Sequence, residues 1–171
     1  MRKIFAILLV LIMAFSFTAC IEEDSPKKEQ AEASESASNK EEIFGLNETA
    51  VFDDLKFTAT EFTESHGEDF FTPESGNVFV GVKFTIENIS DEEQTVSSIL
   101  LFEGYVDDVK CDYSFSASCA FDEGTIDGSI APSKKLVGWY ALEVPENYST
   151  IELQVLSDWL SNNSAKFVFK K

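Results

Sequence analysis

From residue 78 to residue 87 the chain alternates without a break: Val78, Val80, Val82, Phe84 and Ile86 take every second place, with Phe79, Gly81, Lys83, Thr85 and Glu87 between them. A side-chain period of two places the first set on one face of an extended strand and the second on the other, whereas a helix would scatter both sets around its axis. Leu55, Phe57 and Ala59 alternate with Lys56, Thr58 and Thr60 in the same way. Comparable runs occupy residues 94–102, 134–144, 150–155 and 165–169, with weaker ones at 49–52 and 109–114. Turn-forming residues part them at Asp53-Asp54, at residues 73–77 and 88–92, at Asp107-Asp108, at Ala131-Pro132-Ser133 and at Pro145-Glu146-Asn147. Residues 157–161 alone suggest a helical turn. Residues 43–171 suffice for one hydrophobic core and are too few for two domains. Seven or eight short strands with polar connections predict an all-β fold, an antiparallel β-sandwich of two sheets.

The residues before this domain have a different character. Arg2 and Lys3 precede an apolar run over residues 4–17, which fits the roughly 7–15 residues of a signal peptide core and falls short of the about 20 that span a bilayer. Phe17-Thr18-Ala19-Cys20 then reads as a bacterial lipobox, with Phe17 where leucine is usual. The expectation is a lipoprotein signal peptide over residues 1–19 and a lipid on Cys20, which places the chain on the extracytoplasmic face of the cell membrane. Residues 22–42 contain no aromatic residue and no Val, Ile or Leu. Such a segment buries too little apolar area to offset its ordering entropy, so residues 20–42 are expected to form a disordered tether. Ser25 and Lys28 within it match the S-x-x-K spacing of serine acyl-enzymes, but a tether offers no rigid pocket for a nucleophile and its base.

The chain carries 31 acidic against 13 basic residues, a net charge of −18, and loss of the signal peptide would remove two of the basic ones. Such a surface repels phosphate backbones, which excludes nucleic acid, and attracts a protein or other partner of cationic character. Cys111 and Cys119 lie in an exported chain where thiols are oxidised, and with Cys20 lipidated they form an even count. A Cys111–Cys119 disulfide is expected, a local staple worth about 2.5 kcal/mol around a loop carrying Tyr113 and Phe115. His66 is the only imidazole and sits among acidic residues in an apparent loop, so no catalytic triad, no Cys/His metal set and no cofactor are expected. Acidic pairs at strand ends leave calcium as an alternative, with Asp122, Glu123 and Asp127 the richest group, although EF-hand spacing is absent.

Four segments carry a resemblance. Residues 46–60 (LNETAVFDDLKFTAT), 76–98 (GNVFVGVKFTIENISDEEQTVSS), 128–145 (GSIAPSKKLVGWYALEVP) and 165–170 are similar to the family of Gram-positive lipoproteins and secreted proteins with the domain of unknown function 4352. That family's immunoglobulin-like sandwich is shared with the immunoprotective extracellular antigens. Its marks here are a strand closing on Glu87-Asn88, a Pro132 turn and a closing Glu-Val-Pro; Ser133 stands where a glycine often follows the proline. The resemblance implies an immunoglobulin-like fold and export, with no common activity to carry over. A surface-anchored, non-catalytic binding domain is therefore the expected function, ahead of a cation- or small-ligand-binding lipoprotein and of an enzyme.

Overall fold

The computed structural model describes residues 42–68, 70–158, 160 and 163–171. Along them run β1 (Ile43–Phe44), β2 (Thr49–Val51), β3 (Leu55–Ser65), β4 (Asn77–Asn88), β5 (Gln94–Val96), β6 (Phe102–Val106), β7 (Val109–Cys111), α1 (Phe115–Ser118), β8 (Gly128–Ile130), β9 (Lys135–Pro145), β10 (Thr150–Leu156) and β11 (Ser164–Lys170). One sheet has the order β1-β11-β10-β6-β7, a second β2-β3-β4-β9, and β5 pairs with β8 in a separate ribbon. Every pairing is antiparallel except that of β1 with β11. The strands outnumber the seven or eight expected because β1 and β8 are too short to show a period and because the run at 94–102 is two strands, not one.

The alternating residues meet where the sheets face each other. Val80, Phe84, Phe57 and Tyr140 from one sheet bury against Phe102, Leu153 and Phe167 from the other. The Phe84 ring lies edge-on to Phe102 and Phe167, each with centroids 5.3 Å apart. Each such ring removed from water contributes about 1.5–3 kcal/mol, and edge-to-face contact adds to that.

The second sheet is covered on its outer face as well. Phe79 and Gly81 of β4 and Trp139 and Ala141 of β9 lie beneath the segment that carries α1, where Ala117, Ala120 and Phe121 pack on them. Ser114 caps the helix, its Oγ accepting from the Ala117 N–H at 3.2 Å. The Phe121 ring stacks on Trp139 with centroids 4.9 Å apart and rests on Gly81, where an added Cβ would come within 2.7 Å of it. The same segment runs along the outer edge of β9. The Trp139 N–H donates to the Gly124 carbonyl and the Ser114 N–H to the Ala141 carbonyl, both at 2.9 Å, and Tyr113 bridges Leu142.

Candidate functional site

A two-residue turn places a cleft on the surface. Asp107 and Asp108 both have positive φ, 46° and 68°, between the paired Val106 and Val109. This primed turn matches the twist of the flanking strands and folds β7 tightly onto β6. The Asp107 carboxylate fixes the hairpin by accepting from the N–H groups of Thr150 at 2.8 Å and Ser149 at 3.1 Å. Beyond β7 the chain crosses toward β9, so Cys111, Asp112 and Tyr113 form one wall of a cleft of about 290 Å³. Phe102, Glu103 and Gly104 of β6, Lys110 of β7 and Tyr140 of β9 line it further, and Ser98 and Ile99 form its rim.

Aromatic rings back the cleft. Tyr140 stacks on Phe102 at 5.1 Å and tilts against Tyr113 at 5.5 Å. The cleft's charged groups are the carboxylates of Glu103 and Asp112 and the ammonium of Lys110. Glu103 accepts from Lys110 Nζ at 3.2 Å and from the Tyr105 hydroxyl at 3.0 Å, and these two bonds, Lys110 first, hold its carboxyl below the usual value. Burial raises the Tyr140 phenol far above its ordinary value, and the negative charges of Asp112 and Glu103 add to this. Burial also raises the Cys111 thiol, helped by the carboxylates of Asp112 and Glu143. A thiol kept protonated in this way is a poor nucleophile. The cleft can hold a ligand against rings and carboxylates, and it pairs no activated nucleophile with a base.

The other residues singled out by sequence lie elsewhere. Cys20, the apolar run and the tether up to residue 41 fall outside the described residues. Cys111 and Cys119 are both free thiols, and the expected disulfide is not formed. The Cys111 thiol points toward the Glu143 carbonyl of β9, 3.6 Å away, whereas Cys119 is the exposed C-cap of α1. His66 is exposed just beyond β3.

The acidic group at 122–127 is dispersed. Asp127 accepts from the Ser98 N–H at 2.7 Å and from its hydroxyl at 3.0 Å, while Glu123 pairs with Lys83. Among the described residues no three His, Cys, Asp or Glu side chains gather as a metal ion would require. Glu103, Lys110 and Tyr140 had no signal in the sequence, since each occupies an ordinary strand position and only the hairpin turn and the crossing to β9 bring them together.

Solved structures agree with the fold. A candidate lipoprotein of Bacillus subtilis, ycdA, superposes with a TM-score of 0.57 at 16% identity; the match covers 71% of this chain and 38% of that one, so the likeness is to part of a longer protein. An uncharacterized β-sandwich protein of Clostridium difficile gives 0.53 at 19% identity over 85% of this chain and 99% of its own. A secreted protein of Mycobacterium tuberculosis, MPT63, gives 0.55 at 12% identity over 78% and 100%. At these identities the likeness is one of fold, and none of the three descriptions names a reaction. No curated protein matches the sequence. The strand ending in Glu87-Asn88 and the Pro132 turn both fall within residues 44–166, which match the model of the domain of unknown function DUF4352, and the chain belongs to that family.

Proposed function

We propose that the protein is a lipoprotein of the extracytoplasmic membrane face, in which residues 1–19 are a signal peptide, a lipid on Cys20 is the anchor, residues 20–42 are a tether, and residues 43–171 are a non-catalytic immunoglobulin-like binding domain. The lipobox Phe17-Thr18-Ala19-Cys20 supports the anchor. The cleft between the β6–β7 hairpin and β9 carries the binding role, because it offers aromatic walls and oriented polar groups beside a thiol that burial and nearby carboxylates keep protonated. Calcium at the acidic loops has less support, since Asp107, Glu123 and Asp127 already serve as staples within the fold.

Two measurements test this reading. Metabolic labelling with a palmitate analogue should mark the wild-type chain and fail on Cys20→Ser, which should also leave the membrane fraction; a Cys20→Ser protein that labels and stays membrane-bound refutes the anchor. Affinity capture from cell-surface extracts should retain a component that Tyr113→Ala no longer retains. Capture unaffected by changes at Tyr113 and Asp112 would remove the cleft from the binding role.

A further inference from the structure

The charges around the cleft narrow what it can bind. Lys110 is its only cation and is already matched by Glu103 at 3.2 Å. Asp112 is exposed at the mouth and forms no ion pair among the described residues, so one negative charge is left over. Asp127 lies just behind the rim, bound to Ser98. An anionic ligand would meet these carboxylates without a free counter-charge, and a purely apolar ligand would strip water from Asp112 with nothing in return. A cation meets the opposite situation: a carboxylate at the mouth, the electron-rich ring of the half-buried Tyr113 beside it, and a chain of net charge −18 that draws positive groups toward it. A volume of about 290 Å³ falls just below the range of about 300–1,000 Å³ for ligand sites, which suits a single extended side chain.

Building on the binding role proposed above, we infer that the cleft takes the side-chain cation of a basic polypeptide, an ammonium or guanidinium group, with Asp112 as its counter-charge and the ring of Tyr113, itself backed by the buried Tyr140, behind it. Residues on three separate stretches of chain, the β6–β7 hairpin, the crossing segment and β9, build this receptor.

Nuclear magnetic resonance titration of the full chain at constant ionic strength tests the assignment. N-acetyl-lysine methylamide and its arginine counterpart should shift the amides of Gly104, Cys111, Asp112 and Tyr113 saturably, while the norleucine and glutamate analogues should not. Asp112→Asn and Tyr113→Ala should each weaken the response about tenfold, and Tyr113→Phe, which keeps the ring, should retain it. Equal shifts from norleucine, or a lysine response spread over the acidic surface and indifferent to Asp112→Asn, would overturn the inference, as would the absence of any saturable shift. If capture from surface extracts still depends on Tyr113 while lysine and arginine probes fail, the cation assignment falls and the binding role stands. If both fail, both fall.

Discussion

Asn88 joins four pieces of chain at the end of β4. Its side chain is fully buried, and its amide nitrogen donates to the carbonyls of Ile130 and Glu92, each at 2.7 Å. Its Oδ1 accepts from the N–H and the hydroxyl of Ser90, and its backbone N–H and C=O bond to Lys134 and Ser133. Asn88→Ala would remove these side-chain bonds from a buried position, so denaturant unfolding should show a loss on the order of 3 kcal/mol with little change in slope. A loss below about 0.5 kcal/mol would contradict this role. The sequence marked Asn88 only as the close of a strand, because Ile130, Ser133 and Lys134 reach it from more than forty residues along the chain. Ser133 was more legible. Pro132 and the bond from the Lys134 N–H to the Ala131 carbonyl build a turn whose third residue needs positive φ, and Ser133 occupies it at 61° where the family often has glycine. The cysteines were the least legible, since a count of thiols says nothing about where each side chain points.

Strands could be read where the backbone keeps its phase and not where it shifts. The alternation of Leu55, Phe57 and Ala59 stops at Thr60, yet β3 continues to Ser65. The register with β4 slips between Ala59 and Glu61, and this bulge turns the next inward position to Phe62, which stacks on Phe169 at 5.2 Å. The run at 94–102 failed for another reason. Apolar residues continue through it, but a turn closed by the Leu101 N–H and the Ser97 carbonyl divides it and leaves Ile99 and Leu100 exposed. The cover over the second sheet had no local signal, because Phe121 gains its place from Gly81 forty residues earlier. That dependence can be measured. Gly81→Ala should cost about 1–3 kcal/mol in the wild-type chain, since its methyl group would push into the Phe121 ring. In a Phe121→Ala background the same change should be neutral or stabilising, by up to about 1 kcal/mol, as the methyl then has room and glycine's extra chain entropy is removed. Equal effects in both backgrounds would show that Phe121 does not rest there.

At the scale of the whole molecule, titration links the C-terminal residue to both sheets. Tyr148 donates to Glu64 at 2.7 Å, and Lys171 pairs with the same carboxylate at 2.9 Å while lying 4.6 Å from the centre of the Tyr148 ring. Burial raises the Tyr148 phenol above its ordinary 10.0, and the bond to Glu64 raises it further; burial raises Tyr140 in the same direction. The unfolded chain therefore releases these protons first, so stability is whole below pH 10 and falls as the pH rises through and beyond that value. Glu64 is held below its usual 4.5, first by Tyr148 and then by Lys171, so its contribution is present above that pH and is lost as the pH falls. Melting temperatures across pH should show both limbs, and Tyr148→Phe should flatten each of them; a profile identical to wild type would exclude this coupling. The edges of the sheets have a consequence of another kind. β1, β2 and β7 are each two or three residues long, and the eleven-residue β9 is hydrogen-bonded along its outer side by the chain's own crossing segment. β9 is thereby closed to another strand, so copies crowded side by side are kept from zipping together along it.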